Sequence, residues 1–313
     1  MEAATSGRAA PALNVRTRAP KAGVVDWPAA LACLAPSLLV FSVFVFWPLV
    51  RTVYLSFHGS DIIGRPTLFV GLRQYVVLFT SPGVRDVMAT TFLYTLLTVV
   101  PSLLLAILIA LLLQQRLGGI GLFRTLMATP FAFSVATASV VFAIFYNPGV
   151  GVLNGFLQLF NLRPVGWLTD PSVALPSIAI ASVWLQLGYN VLVLSAGLNA
   201  IPEEVYEAAR LDGARGLALA RNVTLPLLTP SLFFLLVVST ITALQSFGQI
   251  HILTRGGPAG ATTTLVYSIY VNAFAFGNSN FGLASAQAIV LFCIVLAVTA
   301  AQFGVLERRV FYR

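Results

Sequence analysis

Residues 203–221 read EEVYEAARLDGARGLALAR and carry seven charged side chains: Glu203, Glu204, Glu207, Arg210, Asp212, Arg215 and Arg221. The 313-residue chain has only 18 Lys and Arg and 10 Asp and Glu, so a quarter of its charge lies in this one insert. Side chains three and four residues apart share a helix face, so such a segment can offer carboxylates and guanidiniums to a charged partner. It does not compose a catalytic centre. His58 and His251 are far apart in sequence, and neither H-E-x-x-H nor G-x-S-x-G occurs. Lys21 is the only lysine and sits in RAPKAG, so the G-x-x-x-x-G-K-[ST] phosphate loop is absent and a standard P-loop ATPase is excluded.

Uncharged polar residues form two further groups. Around 182–190, Ser182, Gln186, Tyr189 and Asn190 fall at helical spacing with Trp184 nearby, and around 242–249, Thr242, Gln245, Ser246 and Gln249 do the same. Two readings stay open. Such residues hydrogen-bond helices to one another inside membranes, or they line a path for a hydroxyl-bearing solute. Cys33 and Cys293 lie in apolar tracts, read as packing residues, and offer no disulfide or metal framework. His251 reads as an external-loop residue.

These groups must be held by elements that cross a membrane. The chain is 58% hydrophobic and 9% charged, far from the roughly 25% charge of soluble domains. Six tracts carry no Asp, Glu, Lys or Arg: 29–50, 87–115, 125–146, 172–202, 222–254 and 256–306. Each exceeds the roughly 20 residues that span the hydrocarbon core. Their continuous apolar runs differ from the alternation of a membrane β-barrel. The expected fold is an all-α polytopic membrane protein with about six transmembrane helices: 29–50, 87–115, 125–146, 173–198, 227–250 and 283–306.

Twelve of the 18 basic residues fall in segments 1–28, 116–124, 203–221 and 307–313, and six in the alternate set. The positive-inside bias puts both termini and the charged insert in the cytoplasm. The net charge of +8 therefore reflects topology and membrane lipid, with no nucleic-acid partner expected. Three segments follow: a disordered cytoplasmic tail over 1–28, a transmembrane domain over 29–306 with the insert at 203–226, and a cytoplasmic tail over 307–313. Outside, Leu72, Tyr75, Val76 and Phe79 predict a short amphipathic helix, and 146–154 a turn followed by loop with one short helix. In the insert, Pro202 suits the first helical position, and Glu203 and Glu204 suit the positive end of the helix dipole. Gly213 suits a left-handed cap, and a second helical piece over 214–222 is expected to stop before Leu225-Pro226. No Asp or Glu lies inside any tract, which weakens a secondary transporter; an independent channel or secondary transporter is the rival class, and no constellation supports a membrane enzyme.

Glu207-Ala208-Ala209, three residues, Gly213, nine residues, then Val223-x-Leu225-Pro226 resembles the EAA loop of binding-protein-dependent ABC importer permeases, with Val223 where that pattern has Ile. ASVWLQLGYNVLVLSAGLNAIPEE, GGPAGATTTLVYSIY and LERRVFYR are similar to the sugar and glycerol-3-phosphate (maltose-type) branch, so the resemblance runs from about 30 to 313. It implies a type I ABC importer permease fold in a bacterial inner membrane. It implies an insert whose coupling helix docks into a cytoplasmic ATPase through Glu203, Glu207, Ala208, Ala209, Asp212 and Gly213. It implies no cofactor on this chain, with ATP and Mg on two partner ATPase subunits, a second homologous permease in a heterodimer, and an extracytoplasmic solute-binding protein. The solute pathway is expected at Trp184, Gln186, Tyr189, Asn190, Gln245, Ser246 and Gln249. FVGL, FYNPGVGVLN and LFFLLVV resemble the Ugp-type glycerol-3-phosphate permeases, which implies glycerol-3-phosphate or glycerophosphodiesters such as glycerophosphocholine. Disaccharides or oligosaccharides such as maltose or trehalose are the alternative.

Overall fold

A computed structural model describes residues 27–61, 63, 65–114, 118–275 and 279–307. The expected disorder of the N-terminal tail, the centre of the QQRLGG turn and the tail from 308 onward fall outside them. The chain divides into two units, Met1–Val50 and Arg51–Arg313. In the first, α1 (Trp27–Phe41) passes through a π-helical turn, Ser42–Phe46, into the start of α2 (Trp47–Ser56). Its side chains from Leu31 to Val50 are largely exposed, Phe44 to 73%. Among Leu, Val and Phe with no polar atoms to satisfy, that exposure is stable against lipid tails.

The second unit begins with a small antiparallel hairpin, β1 (His58–Ser60) and β2 (Pro66–Phe69). Next come α3 (Arg73–Thr80), α4 (Pro82–Leu113), α5 (Ile120–Ala128), a 3-10 turn at Thr129–Ala132, α6 (Val135–Phe145), α7 (Val152–Leu159) and α8 (Pro171–Asn199). The insert supplies α9 (Glu203–Leu211) and α10 (Gly216–Leu219), and a π-helical turn at Ala220–Thr224 leads into α11 (Leu225–Leu244). The chain continues through α12 (Gly248–Leu253), α13 (Leu265–Phe274) and α14 (Phe281–Leu306). Five of the described helical segments are long and apolar enough to cross a membrane, or six with one bent pair, which matches the expected all-α polytopic architecture.

The packing centres on α4 against α8. Serine and alanine on both (Ser102, Ala106, Ala110; Ala174, Ala181, Ser182) are buried, and small side chains let helix backbones approach in lipid, where tail contacts supply no competing hydrophobic drive. One apolar cluster, near the insert, joins Ala106, Ala110 and Leu113 to Val191, Leu194, Leu198, Leu228 and Leu235. A second, toward the opposite end, joins Tyr94 to Leu175, Ile178, Ile250, Leu253 and Tyr267. Asp170 caps α8, accepting from the Ser172 N–H at 2.8 Å and its hydroxyl at 2.7 Å, and these bonds hold its carboxyl below the ordinary carboxylate range.

Four expectations change. The third span is a pair, Ile120–Ala132 and Val135–Phe145, bent by 102°. Pro130 stiffens the 3-10 turn, and Ser134 caps the next helix by accepting from the Thr137 N–H at 3.1 Å. The fifth span ends at Leu244, not 250, because Gln245 (φ −98, ψ 9) and Phe247 (φ −127, ψ −52) leave helical geometry. The uncharged tract 256–306 holds a second helix, α13, besides its span. The expected short amphipathic helix is present as α3, with Leu72, Val76 and Phe79 exposed, Tyr75 half-buried and Leu78 fully buried. Cys33 and Cys293 are likewise exposed, so neither is a packing residue.

Candidate functional site

The insert is built by local rules. Pro202 (φ −60, ψ 140) is the residue before the helix, one position earlier than expected, and Glu203 and Glu204 occupy the first turn of α9. There they face the partial positive charge of the unpaired N–H groups. The helix closes in a Schellman motif: Ala214 N–H donates to Ala209 O at 2.9 Å and Gly213 N–H to Arg210 O at 3.1 Å. That geometry needs Gly213 at φ +85, where a Cβ costs about 1–2 kcal/mol. The second helical piece does not stop before Leu225-Pro226. It runs on into α11, because the π-helical turn lets Leu225 N–H reach back five residues to Ala220 O. That register shift relieves the ring-to-carbonyl clash Pro226 would make in a regular helix.

Glu203, Glu204, Glu207, Ala208, Asp212 and Gly213 are exposed, Ala209 half so, and Tyr206 is buried. Arg210 pairs with Glu203 at 3.3 Å across exposed surface, a contact worth about 0–1 kcal/mol. Leu211 and Leu217 stand 89% and 83% exposed. Sequence reasoning missed both, although each is a large apolar side chain in an otherwise polar stretch. A water-facing surface that mixes carboxylates with bare leucines fits burial against a protein. Tyr206 ties the insert inward, accepting from Gln114 Nε2 at 3.0 Å.

The second site lies at the middle of α8 and just beyond the far end of α11. The Tyr94 hydroxyl meets Ser182 Oγ at 2.7 Å and Ser246 Oγ at 3.0 Å, and Ser246 donates to Gln249 Oε1 at 2.9 Å. This chain joins α4, α8 and the break after α11. Ser182, Gln186 and Asn190 are four apart and form one stripe running about 12 Å along α8. The stripe changes character along its length: Gln186 Oε1 and both polar atoms of Asn190 are buried without a hydrogen-bond partner. Each such atom left unpaired costs about 1–3 kcal/mol, so these groups are open to a polar partner. His251 Nδ1 is a further buried orphan.

Aromatic rings border the stripe. Trp184 lies 5.6 Å from both Phe133 and Phe142, and Tyr189 lies 5.7 Å from Phe131. The bent pair places Phe131 and Phe133 there, because Gly188 permits the approach: a Cβ on it would lie 2.7 Å from Phe131 N and 2.9 Å from Ala128 O.

The structure therefore brings Ser246 and Gln249 together but not Thr242 and Gln245, which are exposed; the helix that would have aligned all four ends at Leu244. Tyr94 was missed, since a lone tyrosine in an apolar run carries no spacing signal. His251 is not a loop residue. It lies in α12, stacked on Phe247 at 5.0 Å and edge-on to Tyr270 at 5.2 Å. Among the described residues no group of three or more His, Cys, Asp or Glu could hold a metal ion.

Residues 81–312 match the family described as binding-protein-dependent transport system inner membrane component. The chain is 38% identical over 282 residues to the sn-glycerol-3-phosphate transport system permease protein UgpA of Brucella abortus, covering 89% of this chain and 94% of that one. It is 34% identical over 283 residues to the protein of the same name from Escherichia coli, covering 90% and 94%. Among solved structures, a bacterial ABC transporter that imports the acidic polysaccharide alginate superposes with TM-score 0.79 at 23% identity, over 92% of this chain and 97% of that one. The alginate transporter in complex with its pentasaccharide-bound periplasmic protein superposes with TM-score 0.78 at 22% identity, over 90% and 95%. At that identity the likeness establishes a shared fold.

Proposed function

The chain belongs to the binding-protein-dependent transport system inner membrane components, and from that premise we propose that it is one permease subunit of an ATP-driven importer of glycerol-3-phosphate or glycerophosphodiesters. It carries no ATPase site of its own. Two cytoplasmic ATPase subunits bind ATP and Mg, a second homologous permease completes a heterodimer, and an extracytoplasmic binding protein delivers the solute. Both termini and the insert lie in the cytoplasm. The observation that carries the reading is the insert itself. A Schellman-closed helix presents Glu207, Asp212 and two bare leucines outward, at the end of α8 and at the opposite end of α11 from Ser246 and Gln249. The substrate reading draws support from the names of the relatives.

In mechanism, closure of the ATPases pulls on the exposed face of α9. The pull reaches α11 through the continuous helix from Gly216 and α8 through its C-terminal end. α8 carries Gln186 and Asn190, so a shift along it alternately offers and withdraws their unpaired polar atoms. A ligand moves such an equilibrium only through differential affinity for its two states, and the orphaned amides provide it: paired with solute hydroxyls in one state, unpaired in the other.

The test is Glu207→Arg in the membrane-expressed assembly. Uptake should fall at least tenfold while the chain still reaches the membrane, and the wild-type chain should copurify with an ATPase. Unchanged uptake by the variant, with no ATPase in the wild-type preparation, would sink the importer reading.

A further inference from the structure

Around the polar stripe, α8 and α11 are free of Lys and Arg, as is the whole of α14, and α4 carries only Arg85, in its first turn. A phosphorylated solute entering such a path brings negative charge without a fixed countercharge. The structure supplies one cation at the far end of α11 from the insert. Arg255 lines an open recess of about 370 Å³ together with Gly256, Thr263, Tyr267, Ser268 and Asn272. Its guanidinium has no carboxylate partner among the described residues.

The recess has a rigid frame. Arg255 takes a left-handed backbone (φ 51), and its N–H donates to Ile250 O at 2.8 Å. The strand of loop behind it is fixed by hydroxyls: Thr262 Oγ1 donates to Gly257 O at 2.6 Å, Thr254 meets Thr262 at 2.7 Å, and Thr263 Oγ1 donates to Gly256 O at 3.0 Å. Gly256 (φ 80) must lack a side chain, since a Cβ would lie 2.7 Å from the Tyr267 ring. On the opposite wall, Asn272 donates to Gln287 Oε1 at 3.0 Å, and Gln287 Nε2 donates to Ser268 Oγ at 3.0 Å, so both wall residues are held. The backbone that carries Arg255 is fixed in this way and its side chain is exposed, and a guanidinium meets a planar or tetrahedral oxyanion with two parallel N–H donors.

We propose that the Arg255 recess is an entry subsite for a small phosphomonoester anion, holding its phosphoryl oxygens at the guanidinium and its hydroxyls at Thr263, Ser268 and Asn272. The volume lies at the small end of the roughly 300–1,000 Å³ of ligand sites, room enough for a three-carbon phosphate. The subsite rests on the substrate reading above and deepens it. Arg255 captures the anion where water still reaches it, and the solute then passes to the uncharged stripe.

The test uses the assembled transporter without its binding protein, treated with phenylglyoxal, with modification at Arg255 read by peptide mass spectrometry. sn-Glycerol-3-phosphate should slow modification at Arg255 at least threefold, while maltose, or sodium chloride at matched ionic strength, should not. In parallel, Arg255→Ala should raise the KM for glycerol-3-phosphate uptake at least tenfold, and Arg255→Lys should raise it less. Transport of glycerol-3-phosphate with no protection, or protection equalled by sodium chloride, would overturn the subsite and leave the substrate reading standing. Protection without transport would overturn the substrate reading and support the subsite.

Discussion

Gly188 gives the sharpest test of how the bent pair is held against α8. An added Cβ would meet Phe131 N at 2.7 Å, Ala128 O at 2.9 Å and Phe131 Cβ at 3.1 Å. Ordinary contact begins at 3.4 Å, so one backbone must yield by about 0.7 Å. Overpacking costs typically about 1–3 kcal/mol, and the upper part of that range applies because none of these atoms can rotate away. Replacing glycine by alanine inside a helix returns about 1 kcal/mol, leaving a net loss of about 2 kcal/mol. Gly197, on the same helix, is the control. Its added Cβ would meet first Ser231 Oγ and Leu228 Cδ1, both movable ends of side chains, with the fixed Ser231 Cβ further off at 3.2 Å and no backbone atom among the three, so the propensity gain roughly offsets the crowding. The assay is thermal melting of the detergent-solubilised assembly. At about 2–4 °C per kcal/mol, Gly188→Ala should lower the midpoint by about 4–8 °C and Gly197→Ala by about 1 °C or less. Uptake by Gly188→Ala should fall as well, because the displaced segment carries Phe131 beside Tyr189. A Gly188→Ala midpoint within about 1 °C of wild type, or a larger loss at Gly197, would refute the close-approach argument.

Three other outcomes are expected. Gln186→Ala combined with Asn190→Ala should alter substrate-stimulated transport and leave ATPase assembly intact; normal transport by the pair would remove the stripe from the pathway. At Gly213 nothing lies within 4 Å of an added Cβ, so Gly213→Val should cost about 1–2 kcal/mol through backbone strain alone. Gly213→Asn, which tolerates the left-handed region better, should melt and transport closer to wild type. Asp170→Ala should melt below wild type at neutral pH. Because the folded carboxyl titrates below its ordinary value, its contribution is present above the unfolded pKa and is lost as pH falls through the folded one. The gap between the two melting curves should therefore close on acidification, and a gap that persisted in acid would contradict the capping role.

The spans were legible because lipid removes alternatives. A backbone without water must be helical, so uninterrupted apolar length is enough to locate α4, α8 and α14. The insert was legible for the opposite reason, since charge and a cap glycine in an apolar chain can have few structural meanings. Helix breaks were not. The break after Leu244 is fixed by Ser246 bonding to Tyr94, a partner 152 positions away, and no local propensity records that contact. Nor does a local pattern reveal the 102° bend, which depends on where Gly188 lets the segment settle. The uncharged residues 256–280 looked like part of one tract because α13 is apolar too. The span expected at 283–306 stands apart from them; what no local pattern shows is α13 itself, whose Asn272 bonds to Gln287 of α14.

The hydrogen bond from Gln114 to Tyr206 has a consequence for exchanging parts between related permeases. Residues 203–221 look like a self-contained cassette that could be swapped to redirect a permease to another ATPase. They are yoked, however, to the end of a helix that lies 92 positions earlier in the chain. A chimera that moves the cassette without the matching residue at 114 would carry an anchor with nothing to hold it. Under the coupling proposed above, such a graft would keep its links to α8 and α11 but lose its tie to α4, so the exchangeable unit is two separate segments.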